Sequence, residues 1–205
     1  MKLRHFFSDP SLYILIAFNA WAIYEYKVHP ESYSTMVWLF WCQSVLIGIF
    51  NFLELLTTKN VIAAGFKIND QPVDPEKGRG CYASFFLFHY GAFHIAYLVF
   101  IAIQVGVKNI DPTIFKFCLL LLFANQTFSF FHHKQAYKDA PPNLSFLFFA
   151  PYLRVVPMHL IILGPAFFHW QPAMIFLILK AFMDIVGYML TLRLRIKPVD
   201  SYSAY

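Results

Sequence analysis

The sequence predicts an all-α integral membrane helical bundle of about six transmembrane helices, with both termini cytoplasmic. Three observations predict it: the composition, a series of apolar stretches of span length, and the placement of positive charge between them. Hydrophobic residues make up 59% of the 205-residue chain, charged residues only 13%, and Phe alone occupies 25 positions. Mean hydropathy is +0.55. A hydrocarbon core of about 30 Å takes roughly 20 apolar residues per helix. The whole chain, residues 1–205, therefore reads as a single membrane domain.

The apolar segments fall at roughly 11–27, 33–57, 82–107, 113–131, 152–169 and 172–193. The first ends wet, at Glu25 and Lys27. The second leads into a polar cytoplasmic loop, 58–81, whose Asn69-Asp70-Gln71-Pro72 and Asp74-Pro75-Glu76-Lys77-Gly78 runs are turn chemistry. Pro112 directly after Asp111 marks the start of the fourth helix, because proline suits the first helical position. Residues 141–151, Pro-Pro-Asn-Leu-Ser-Phe-Leu-Phe-Phe-Ala-Pro, are too short to span. They fit a segment dipping into the interface through Phe146, Phe148 and Phe149, or equally a hydrophobic loop packed on the bundle. The fifth segment carries Pro157 and Pro165, which membrane helices tolerate when neighbours re-satisfy the freed carbonyls.

With six spans and a cytoplasmic N-terminus, twelve Lys and Arg residues fall on the cytoplasmic side, from Lys2 and Arg4 to Arg195 and Lys197. Only Lys27, Lys108 and Lys116 fall on the other. This positive-inside bias places the protein in a cell inner (plasma) membrane with both ends inside. The net charge of +5 would suggest nucleic acid in a soluble protein. Here the basic residues sit at span ends, so the partner is the lipid bilayer and not nucleic acid. Cys42, Cys81 and Cys118 are far apart and form no CxxC, which reads as three reduced thiols. No signal peptide, lipidation box or internal repeat is evident.

Ionisable residues inside spans are expensive and are functional candidates by default. At 1.5 Å per residue, His89 and His159 both lie roughly 10 Å from the cytoplasmic surface, and Asn125, Gln126 and Asp184 lie at similar depths. The expected site is one polar cluster of His89, His159, Lys180, Asp184, Asn125, Gln126 and Gln43, opening near Arg154. Gln43, Asn51 and Glu54 share a helical face, as do Lys180 and Asp184, and as do Asn125, Ser129 and His132, with Gln126 over His133. Lys180–Asp184 is an i,i+4 ion pair and reads first as interhelical glue. His89 and His159 come from different helices at matched depth, as a metal or bis-His haem site needs. His94 points about 140° away from His89 and reads as a satisfied bundle residue. His132 and His133 read as solvated interface residues, and Glu54 as alone on its helix. Arg154 suits a lipid phosphate or a helix end.

No nucleophile elbow, HExxH helix, P-loop or GxGxxG is present. Ser129 stands between Phe128 and Phe130, which are expected to crowd it.

Several short stretches, in order, resemble a prokaryotic family of multi-pass membrane proteins that is a domain of unknown function. They are Phe40-Trp41-Cys42-Gln43-Ser44 with Ile47-Gly48, His89-Tyr90-Gly91-Ala92-Phe93, Pro151-Tyr152-Leu153-Arg154-Val155 with His159-Leu160 and Gly164, and Leu179-Lys180 with Asp184. The resemblance runs from about residue 10 to 193. It implies a helical membrane fold and no established activity. His89, Arg154, His159, Lys180 and Asp184 match the family pattern. The chain departs from it at Gln43, where the family has Glu, and near Tyr97 and Tyr188, where the family has His. If the family site is a metal centre, the resemblance implies a changed or vestigial one here.

The leading expectation is a non-enzymatic membrane module that binds a small ligand, a lipid or a partner, with a second copy or a membrane-complex subunit as candidate partners. The rival is a metal- or haem-binding redox protein using His89 and His159. A proton- or ion-coupled carrier using Lys180–Asp184 ranks below both, since no inverted repeat supports it.

Overall fold

The computed structural model describes residues 10–59, 61–62, 67–68, 71–72, 74, 76–139, 141–155 and 172–195. These residues are almost wholly helical: α1 Pro10–Val28, a 3₁₀ turn Pro30–Ser32, α2 Tyr33–Thr57, α3 Arg79–Gln104, α4 Pro112–Asp139, α5 Leu144–Phe149, a second 3₁₀ turn Ala150–Arg154, and α6 Pro172–Arg195. Between α2 and α3, β1 Lys67–Ile68 and β2 Gln71–Pro72 pair antiparallel over two residues each.

Among the described residues, three stretches are long and apolar enough to cross a membrane: Pro30–Thr57, Arg79–Gln104 and Pro112–Gln135. The expected fifth segment, beyond Val155, lies outside the described residues.

Helix α2 is the axis of the molecule. It packs against α3, α4, α5 and the second 3₁₀ turn, while α1 pairs with α6. The α2–α3 pair is antiparallel. Trp38 Nε1 donates to the Gly106 carbonyl at 2.8 Å, Trp41 Nε1 to the His94 carbonyl at 3.1 Å, and Ser44 meets Tyr90. The α2–α4 pair is parallel. Leu39 packs with Cys118 and Leu122, Phe50 with Phe123 and Phe130, and Glu54 meets His133. Close approach of α2 and α3 depends on Gly48, where a Cβ would collide with the Tyr90 ring.

Helix ends are set by local chemistry. Asp111 Oδ1 accepts from the Thr113 and Ile114 amides at 2.8 and 2.9 Å, so α4 starts at Pro112 behind a carboxylate cap. Gly106 ends α3 in the left-handed region at φ +70°, a conformation that costs other residues about 1–2 kcal/mol. Asn143 caps α5 by accepting from the Ser145 amide at 2.8 Å. Residues 141–151 pack on the bundle: Leu144, Leu147 and Phe148 are buried, and Phe148 lies against Phe85 and Phe86 of α3. Their start is tied to the α2–α3 connection, because the Ile62 amide donates to Pro142 O and the Leu144 amide to Ile62 O.

Burial falls sharply from α2 to α4. Over its most apolar stretch α2 is 56% buried within the protein, α3 28% and α4 6%. Phe117, Leu120, Leu121, Phe128 and Phe131 all leave α4 outward.

Candidate functional site

The described polar residues form separate networks, each at its own helix junction. The first joins α1 and α6. Lys180 Nζ lies 2.7 Å from Asp184 Oδ2 and donates to Asn19 Oδ1 at 3.1 Å, while Asn19 Nδ2 donates to Asp184 Oδ2 at 3.2 Å. All three residues are buried. The ammonium also sits 4.0 Å from the Phe40 ring centroid of α2 and 5.2 Å from that of Phe18. Uncompensated, each buried charge would cost several kcal/mol. The ion pair, the amide and the ring faces offset that cost and clamp α1, α2 and α6 together.

The second network lies between α2 and α3. His94 Nε2 is 2.8 Å from Ser44 Oγ, and His94 Nδ1 is 2.9 Å from the Tyr90 carbonyl. Tyr90 OH lies 3.0 Å from Ser44 Oγ and donates to the Ser44 carbonyl at 3.0 Å. A carbonyl can only accept, so Nδ1 carries the proton and Nε2 accepts from Ser44. Ser44, Tyr90 and His94 are all buried, and the Tyr90 and His94 rings stack at 4.2 Å. The network is closed.

The third lies between α2 and α4, where covering by the rest of the chain is thin. His133 Nδ1 is 2.8 Å from Glu54 Oε1, and Ser129 Oγ is 3.0 Å from His133 Nε2. An ionised Glu54 only accepts, so the same reasoning puts the proton on Nδ1 and leaves Nε2 to accept from the Ser129 hydroxyl. Glu54 is 7% exposed. Ser129 and His133 are half-buried, so the network faces outward from a buried carboxylate. Asn51, one turn before Glu54 on α2, is 9% exposed, and its Nδ2 has no hydrogen-bond partner among the described residues.

The residues expected to form one cluster are distributed over these places. Lys180 and Asp184 meet, and their third member is Asn19. His89 is exposed, its Nδ1 2.7 Å from Tyr152 OH and its ring stacked on Phe85. Gln43, Asn125 and Gln126 are half-buried, and Asn125 Oδ1 is a buried acceptor without a partner among the described residues. The Arg154 backbone ends the second 3₁₀ turn. His159, the second half of the expected metal or haem pair, lies outside the described residues. Among the described residues no three His, Cys, Asp or Glu side chains converge as a metal site would require.

Sequence reading set Glu54 as the sole acid of its helix and put Ser129 on one face with His132; the structure adds the partner of each. Glu54 reaches His133 across helices, and His133 is the partner of Ser129. His132 instead stacks on Phe128 at 6.1 Å and is exposed. Asn19 and Ser44 were not singled out, because their partners lie 165 and 50 residues away. Only the i,i+4 spacing of Ser129 and His133 was a usable local signal.

Fold and site together define a helical protein with three membrane-length apolar helices among the described residues and buried polar junctions between its helices. Residues 1–199 match the model of DUF6498, a family of unknown function, and the chain belongs to that family. No curated protein and no solved structure matches it.

Proposed function

We propose that this is a six-span protein of a bacterial-type inner membrane, both termini cytoplasmic, that binds an amphiphilic ligand, a lipid, along α4 at its cytoplasmic edge. The observation that carries this is the pairing of opposites on one helix. Helix α4 leaves a broad apolar face uncovered, with Phe117, Leu120, Leu121, Phe128 and Phe131 exposed, yet near its end it holds Ser129 and His133 half-open against the buried Glu54. An acyl chain matches the first surface and a polar ester or head group the second.

The span count rests on length and charge. Helices α1 and α6, at 19 and 24 residues, extend about 28 and 36 Å, against a hydrocarbon core of about 30 Å. The twelve-to-three charge asymmetry supports the cytoplasmic termini.

The test is photo-crosslinking in nanodiscs with a diazirine-bearing phospholipid, mapped by peptide mass spectrometry. The reading expects adducts concentrated on α4 around Phe128 and Phe131. Protein–protein crosslinks along α4 in place of lipid adducts would instead make this face a contact between copies of the chain.

A further inference from the structure

Glu54, His133 and Ser129 line up in the order carboxylate, imidazole, hydroxyl, with heavy-atom distances of 2.8 and 3.0 Å. We propose that Ser129 is a nucleophile for acyl transfer from a carboxylic ester of a lipid, with His133 as its general base and Glu54 as the residue that positions His133. The proposal rests on the lipid-binding reading above and gives it a chemistry.

Four observations point the same way. The order of contacts is the productive one: with Glu54 against Nδ1, Nε2 is the ring nitrogen that faces the serine hydroxyl. Glu54 is buried, so its orientation of the imidazole is not lost to solvent, while Ser129 is half-open and reachable. The neighbours expected to crowd Ser129 turn away from it. Phe128 is exposed, and Phe130 packs edge-on against Phe50 at 5.6 Å. Finally, Asn51 Nδ2 is a buried donor with no partner among the described residues, one turn from Glu54 on α2. A spare amide donor in an apolar setting is what an oxyanion requires.

The step balances without an added cofactor. Ser129 Oγ bonds to the ester carbonyl carbon as its proton passes to His133 Nε2, and the carbonyl oxygen becomes an oxyanion. The C–O bond to the alcohol then breaks, and His133 returns the proton to the leaving alkoxide. Water, activated by the same imidazole, hydrolyses the acyl-serine and releases the fatty acid.

The test uses the full chain in nanodiscs and an alkyl fluorophosphonate carrying a long chain, with the adduct mapped by mass spectrometry. The inference expects stoichiometric modification at Ser129, none in Ser129→Ala, and a rate about 10²–10⁴-fold lower in His133→Gln. Glu54→Gln should lower the rate and move its pH profile, a readout that a merely structural carboxylate would leave unchanged. Turnover is read as free fatty acid released from a fluorescent diacyl phospholipid, absent in Ser129→Ala. A wild-type Ser129 that stays unmodified while the diazirine lipid still marks α4 overturns the inference and leaves the lipid reading standing. Failure of both probes overturns both. Labelling that persists unchanged in a folded His133→Gln variant shows adventitious reactivity and also overturns the inference.

Discussion

Two serine–histidine pairs sit on opposite sides of α2, built from the same atoms and put to different ends. Ser44–His94 faces α3, and Ser129–His133 belongs to α4. In each, a histidine Nε2 lies within 3.0 Å of a serine oxygen and Nδ1 is held by an oxygen acceptor. The first acceptor is a backbone carbonyl, the second a buried carboxylate. Tyr90 covers the first serine, and both residues of that pair are 5% exposed. The second pair lies on the helix least covered by the rest of the chain. The difference teaches that a hydrogen-bond motif does not define a site. A closed pair oriented by a carbonyl joins helices, while an open pair oriented by a carboxylate has a charged group able to stabilise an imidazolium and a path for a ligand.

The largest expected contrast is chemical. His133→Gln should slow phosphonate labelling of the protein about 10²–10⁴-fold, whereas Ser44→Ala should leave the rate as it is. Stopped-time labelling with mass detection checks both.

Stability should divide the other way. The closed type has its extreme in Lys180–Asp184, where Asp184→Asn leaves a buried ammonium uncompensated and should cost about 3–5 kcal/mol. Lys180→Met together with Asp184→Leu should recover most of that loss, because the desolvation cost goes with the charges. Denaturant unfolding in detergent distinguishes the two variants. A stable Asp184→Asn single variant would break the account of this junction.

Gly48→Ala drives a methyl into the Tyr90 ring and should cost about 1–3 kcal/mol through overpacking of the closed pair. Ser44→Ala leaves the His94 acceptor buried and unmet, for about 1–3 kcal/mol. Ser129→Ala, at a half-open position, should stay near 0.5 kcal/mol. Equal losses at Ser44 and Ser129 would erase the distinction between the two pairs.

The smallest effect lies in the loop before α3. Asp74 accepts from the Lys77 and Glu76 amides, and these bonds hold its carboxyl below the usual carboxylate range. Its contribution is present above the unfolded value near 3.8 and fades as pH falls through the lower folded one. Asp74→Ala should therefore reduce the melting temperature slightly at pH 7 and not at all near pH 2, as thermal melts at the two pH values would show.

Local order was readable in the sequence where the signal spans four residues or fewer. Asp111-Pro112 announced the start of α4, and the Lys180–Asp184 spacing announced the ion pair. Asn19 escaped, since nothing near position 19 refers to position 184. Ser129 was grouped with His132 because i+3 and i+4 lie on nearly the same helical face, and only the reach to Glu54, 79 residues away, selects His133. Depth estimates brought His89 towards the polar centre, but depth carries no azimuth. His89 shares a face with Phe85 and turns to Tyr152.

The most direct measurement is the ratio of Ser129 to Ser44 modification when the full chain in nanodiscs meets a limiting amount of long-chain alkyl fluorophosphonate. The account predicts modification almost entirely at Ser129. Equal modification of the two serines, a preference for Ser44, or none at Ser129 would contradict it.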